Sequence, residues 1–169
     1  MTVREDAFVR ADGSEGIYGV VEKTDFVVIL AVEDDAIWLV EQYRYPVGAR
    51  FWELPQGSWE GRAGAEPAEV ARGELREETG IETGSLEHLG HLYQAYGFST
   101  QGMDVFLATD LRRGPPAPDE EELDLVARRF PLAIFETMLR TGEIKDGATL
   151  AAWGMLGLRQ AQPKEPPRG

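Results

Sequence analysis

The clearest run in the chain is DFVVILAVE (residues 25–33), apolar almost without interruption. A run of that length and character predicts a strand buried on both faces. Asp34-Asp35 supplies a turn, AIWLVEQYRYP continues as a second strand, and FWELP is a short one ended by Pro55 and Gly57. Upstream, AFVRADGSEGIYGVVEK sets the Asp12-Gly13 turn signal between two strand-like runs, which predicts a hairpin. The period then changes. Pro67 suits the first turn of a helix and Gly80 the position just past its end, with Ala68, Ala71 and Leu75 along one side. LEHLGHLYQAY and MDVFLATDL read as strands split by GFSTQG, and RRGPPAPDEEE reads as a Pro-rich acidic loop. FPLAIFETMLRTG carries Leu132, Phe135, Met138 and Leu139 at helical spacing up to Gly142, and Asp146 caps a last helix, GATLAAWGMLGLRQ.

Strands in front and middle with three helices behind them predict an α+β domain, a mixed sheet between helices. Residues 1–159 form one domain in this reading, with 1–23 as an amino-terminal β-hairpin suited to a dimer contact. The polar, Pro-rich residues 160–169 read as a disordered tail.

Composition narrows the function. At 169 residues and 18.8 kDa, 43% hydrophobic and 28% charged, the chain has an ordinary globular make-up and enough length for a real core. It contains no Cys, which removes disulfides, thiolate metal sites and Cys nucleophiles. Seventeen Lys and Arg against 30 Asp and Glu give a net charge of −13. Such a surface repels phosphate backbones and anionic lipid, so neither nucleic acid nor membrane is an expected partner. A small phosphorylated ligand remains compatible if divalent cations or local arginines hold it. No apolar run approaches the ~20 residues of a membrane span. MTVREDAFVR lacks the apolar stretch of a secretory signal, so a cytoplasmic protein is expected.

Phosphate-binding Gly-rich loops, nucleophile-elbow serines and dinucleotide fingerprints are absent from the sequence. His88 and His91, three apart in a strand-like run, are expected on opposite sides and not on one metal. The informative segment is EVARGELREETGI. On a helix Glu74 and Glu78 lie one above the other, with Glu77 about 60° away on the flank. Like charges at this spacing repel by a few tenths of a kcal/mol each, and anions near a helix carboxy-terminus are disfavoured by a similar amount. Ion pairs with Arg72 and Arg76 are one remedy. A cation is the other, since Mg²⁺ takes one or two carboxylates and completes its octahedron with waters and substrate phosphates.

With its upstream context, ELPQGSWEGRAGAEPAEVARGELREETGI, the segment resembles the Nudix hydrolase signature. Glu74, Leu75, Glu77, Glu78, Gly80 and Ile81 match its second half, and Gly57, preceded by Glu53-Leu54-Pro55, matches its start. Three positions depart. The signature arginine falls on Gly73, the first glutamate falls on Ala65, and the loop from Gly57 to the helix is two residues longer. In the family those two residues mostly brace the loop against the helix; Arg72 and Glu66, each one position away, are the candidates for a shifted brace.

LVEQYRYPVG, YGFSTQGMDVFLATDL, PDEEELDL and GEIKDGATLAAWGML further resemble the ADP-ribose pyrophosphatase branch of that family. Gln56 is closer to the Pro-Gln-Gly of dinucleoside polyphosphate and RNA pyrophosphohydrolases, and Gln101-Gly102 stands where the branch commonly has an acidic pair. The resemblance implies a Nudix-like α/β/α sandwich and Mg²⁺ (or Mn²⁺) as cofactor. It also implies Glu74, Glu77 and Glu78 as metal and catalytic residues, and the Gln56 carbonyl as a further metal ligand. Arg44 would contact the substrate, with Glu53 as a second substrate-side residue, and a glutamate of the acidic loop would activate water, Glu121 first and Glu120 second. The implied reaction cleaves the pyrophosphate of a nucleoside diphosphate derivative, foremost ADP-ribose to AMP and ribose 5-phosphate, in a homodimer. The alternatives are a dinucleoside polyphosphate or another nucleotide sugar as substrate, or a weakly catalytic nucleotide-binding domain. Tyr43, Tyr45, Phe51, Trp52 and Trp59 are candidates either for a base-stacking wall or for core and dimer contacts.

Overall fold

The computed structural model describes residues 1–58, 64–114 and 124–161. Two strands open the chain, β1 (Thr2–Val9) and β2 (Glu15–Glu22), antiparallel across the Asp12-Gly13 turn as expected. The hairpin stands apart from the main sheet, and none of its strand residues is buried. Its main-chain link to the rest runs through Val21, whose N–H donates to the Phe98 carbonyl at 2.8 Å and whose carbonyl accepts from the Thr100 N–H at 3.0 Å.

β3 (Phe26–Glu33) is the axis of the domain. It lies parallel to β8 (Gly102–Arg113), which in turn runs antiparallel to the long β7 (Ile81–Tyr93). β4 (Ala36–Arg44) pairs with β3 only near the Asp34-Asp35 turn, at Val32↔Ile37 and Glu33↔Ala36. Beyond it the strands part company: β4 takes β5 (Ala49–Glu53) and β9 (Val126–Pro131) as partners, while β3 takes the two-residue β6 (Gln56–Gly57). Leu54 and Pro55 bridge from β5 to β6 between these ladders.

Helix α1 (Pro67–Thr79) covers one face, packing Val70, Ala71 and Leu75 on Val27, Ile29, Ala31, Phe106 and Ala108. α2 (Leu132–Thr141) and α3 (Gly147–Ala161) cover the other, with Phe135, Met138, Ala152 and Leu156 against Val28, Leu30, Ile37 and Val105. Alternate residues of β3 therefore enter two cores, which explains why its sequence shows no polar alternation. The result is a mixed sheet between helical layers. No helix among the described residues is long and apolar enough to cross a membrane.

Three readings of the sequence need correction. α3 continues to Ala161, so Gln160 and Ala161 belong to the last helix and not to a tail. β9 was not expected: VARRFP carries two arginines and lies between a Pro-rich loop and an amphipathic helix, yet it pairs with β4 from Glu41↔Val126 to Ala36↔Pro131. The histidines do not face opposite sides. A bulge between His88 and Gly90 inserts an extra residue into β7 and resets the alternation. Both rings consequently reach Asp104, with Nε2 of His88 2.7 Å and Nδ1 of His91 3.3 Å from its carboxylate oxygens.

Candidate active site

Helix α1 begins with Pro67 and ends where Gly80 turns left-handed, at φ 69°. Val70, Ala71 and Leu75 lock it into the core, and Glu74 and Glu78 share that buried face, so their carboxylates have a fixed place to go. They meet the Gln56-Gly57 turn. Oε2 of Glu78 accepts the Gln56 N–H at 2.9 Å, and the Glu74 carboxylate lies directly over Gly57, where a Cβ would overlap it. Only glycine permits that approach. Glu74 is 7% and Glu78 5% exposed; Glu77 is half-buried beside them.

Two buried carboxylates one turn apart, at the carboxy-terminal end of a helix, sit in a field that disfavours negative charge. Their oxygens are hard donors of the kind Mg²⁺ and Mn²⁺ favour. Among the described residues no three His, Asp or Glu side chains form a closed metal cage. Mg²⁺ bound by one or two carboxylates fills the rest of its shell with water and ligand oxygens, an arrangement that suits phosphate chemistry.

Arg44 and Glu53 come together across β4 and β5. Nη2 of Arg44 pairs with Oε1 of Glu53 and its Nε lies 3.3 Å from Oε2, a two-point contact, while Nε2 of Gln42 adds 3.3 Å to Oε1. The arginine is 40% exposed along its side chain, whereas Glu53 is 3% exposed. Burial pushes the Glu53 carboxyl above its ordinary range; Arg44 opposes that shift and the negative charge of Asp146 adds to it.

A folded-state value above the unfolded one means that the folded chain holds this proton more tightly. Stability from this group is thus full below the unfolded pKa and is lost as pH rises through the folded pKa. Removing Arg44 removes an influence that keeps the value down. Arg44→Ala should therefore lose more stability at pH 8 than at pH 5, by about 1 kcal/mol after allowance for solvent screening. Adding Glu53→Gln should abolish that difference. Thermal melts at the two pH values decide it; equal losses at both would refute the coupling.

Among the described residues, Nη1 of Arg72 donates to the Thr83 carbonyl at 2.6 Å, Glu66 precedes α1 without a side-chain cap bond, and Ala65 packs against the core under the helix. Of the aromatic candidates, Trp52 stacks edge-on to Phe130 at 4.9 Å, Phe51 is half-buried, and Tyr43 and Tyr45 are exposed. Trp59, Glu120 and Glu121 lie outside the described residues. What the sequence did not disclose is the support behind the site: Leu54 N–H donates to Oγ1 of Thr149, a contact across 95 residues. Its local sign is a lone Thr among the Ala and Leu residues of α3.

Fold and site together define a sandwich protein that presents two buried carboxylates at a helix–turn junction. The chain belongs to the NUDIX domain family, whose match covers residues 22–153. It is similar to the ADP-ribose pyrophosphatase of Mycobacterium tuberculosis, at 39% identity over 78% of this chain and 64% of that protein, just under two thirds of its length. The ADP-ribose pyrophosphatase of Bacillus subtilis is 31% identical over 84% of this chain and 77% of its own. The methanol dehydrogenase activator of Bacillus methanolicus is 31% identical over 79% and 72%. Among solved structures, an ADP compounds hydrolase shares the fold with a TM-score of 0.77 and 20% identity, over 94% of this chain and 92% of that one.

Proposed function

We propose that this protein is a pyrophosphohydrolase dependent on Mg²⁺ or Mn²⁺ that hydrolyses ADP-ribose to AMP and ribose 5-phosphate. The observation that carries the reading is the buried Glu74–Glu78 pair seated on the Gln56-Gly57 turn. The similarity to two ADP-ribose pyrophosphatases supports the choice of substrate. Glu74, Glu78 and the Gln56 carbonyl hold metal, and Glu77 adds negative charge on the flank. When bound, the cation neutralises charge that grows on the pyrophosphate oxygens as one P–O bond breaks. Arg44 binds phosphate or ribose through the exposed part of its guanidinium, and Glu53 aims it by gripping the other edge. A carboxylate of the acidic loop, Glu121 or Glu120, takes the proton of the attacking water.

Purified protein should release AMP and ribose 5-phosphate from ADP-ribose in a Mg²⁺-dependent manner, faster than it cleaves other nucleotide sugars or dinucleoside polyphosphates. Chromatographic analysis of the products tests this. Nucleotide binding without Mg²⁺-dependent turnover would replace the reading with that of a binding domain.

The functional unit in this proposal is a homodimer. Val3, Val9, Ile17 and Tyr18 of the hairpin are exposed, as are Tyr96 and Phe98 of the loop it touches, with Tyr96 at 83%. An apolar surface of this kind on a strand pair with no covering layer calls for a partner, and a second copy supplies a self-complementary one. Sedimentation should give a dimer at micromolar concentration, and replacing Ile17 and Tyr18 by Ser should shift it toward monomer. A parent protein that sediments as a monomer would exclude this arrangement.

A further inference from the structure

We infer that Thr149, oriented by Asp146, is a positioning residue for the metal platform, its hydroxyl fixing the main chain from which the Gln56-Gly57 turn is built. Thr149 is fully buried on α3. Its Oγ1 accepts the Leu54 N–H at 2.9 Å and donates to Oδ2 of Asp146 at 2.7 Å. The same Oδ2 accepts the Thr149 N–H at 2.7 Å. An ionised carboxylate can only accept, so the threonine proton must point to Asp146 and a lone pair is left for Leu54.

Helix capping does not explain the hydroxyl. The bond from the Thr149 N–H to Asp146 caps α3 whatever side chain stands at 149. Leu54, in contrast, is fully buried and falls between β5 and β6, so its N–H has neither water nor a strand partner. Three successive residues are then pinned to three different elements. Leu54 N–H is held by α3, the Pro55 carbonyl accepts the Ile29 N–H of β3 at 2.9 Å, and Gln56 N–H is held by Glu78 of α1. Thr149 is the anchor on the side facing away from the carboxylates. Without it the peptide planes up to Gln56 can rotate, and the Gln56 carbonyl and the Gly57 seat of Glu74 move with them. This role rests on the metal-site reading above.

The test uses the full chain and Mn²⁺ as a probe, with free ion measured by electron paramagnetic resonance in the absence of substrate. Thr149→Val keeps the shape and removes the hydroxyl. It should weaken Mn²⁺ binding about tenfold, the lower end of what supporting partners of metal ligands contribute. The Mg²⁺ concentration for half-maximal turnover should rise equally, with the KM for substrate at saturating metal little changed. Thr149→Ser should restore both to within about twofold of the parent. A Thr149→Val protein that melts earlier but binds Mn²⁺ like the parent overturns the proposal and leaves Thr149 a packing residue. If Thr149→Val does not fold, Asp146→Asn decides, because it weakens the acceptor that orients the hydroxyl; parental Mn²⁺ affinity there overturns the role. Glu78→Gln runs alongside. Unchanged Mn²⁺ binding in that variant overturns the metal-site reading and this role with it, whereas weakened binding there beside parental binding in Thr149→Val overturns this role alone.

Discussion

Glu78→Gln is expected to lower turnover by at least ~10²-fold with the fold intact, the scale of removing one preorganised charge-stabilising group. The substitution is nearly isosteric. Glutamine can still present an oxygen to the Gln56 N–H, which Glu78 binds at 2.9 Å, so the turn keeps its partner. What disappears is a full negative charge at a site 5% exposed, where little solvent screens its attraction for a cation. The same loss relieves repulsion from Glu74 one turn away and from the helix carboxy-terminus. Melting in the absence of divalent metal should therefore be unchanged or higher, while the rise in melting temperature on adding Mg²⁺ should shrink. Glu69→Gln, in the first turn of the same helix, provides a charge-matched control. Near-parental turnover of Glu78→Gln at saturating Mg²⁺ would end the assignment of this carboxylate to metal.

The parts of this site that could be read from the sequence are those carried by local pattern. Helix α1 announced itself through Pro67, Gly80 and the spacing of its apolar side, and those features also placed Glu74 and Glu78 on one face. β3 was legible because burial in two cores leaves an unbroken apolar run. Asp146 was legible as a cap because the bond is made three residues away, to Thr149.

The less legible parts depend on contacts between distant segments. VARRFP has no strand signature of its own, and pairing with β4 makes it a strand. The histidine alternation failed because one inserted residue in β7 reverses the face of everything after it. The Thr149–Leu54 bond spans 95 residues. A motif can supply the ligands of a site. The framework that holds them is a property of the whole fold.

The second large effect is expected from the acidic loop. Separate Glu120→Gln and Glu121→Gln variants should divide sharply, one losing most turnover while binding substrate and metal almost normally, the other staying near the parent. The reason is a division of labour among carboxylates. Glu74 and Glu78 are committed to metal in the proposed site, and a carboxylate bound to a divalent cation has its lone pairs engaged and its basicity lowered. Proton transfer from water then needs a carboxylate from another segment. The described residues on either side of the loop connect it to the site. Gly114 N–H donates to the Gly80 carbonyl at 2.8 Å, directly after the helix end that carries Glu78. Asp124 is held by Arg50 of β5, with Nη1 2.7 Å from Oδ2 and Nη2 2.6 Å from the main-chain oxygen. One end is thereby tied to the metal-side helix and the other to the strand that ends in Glu53. Single-turnover rates and metal titrations of each variant read out the result. If Glu122→Gln joins the other two in turning over like the parent, none of these three carboxylates takes the proton, and the base has to be sought outside them.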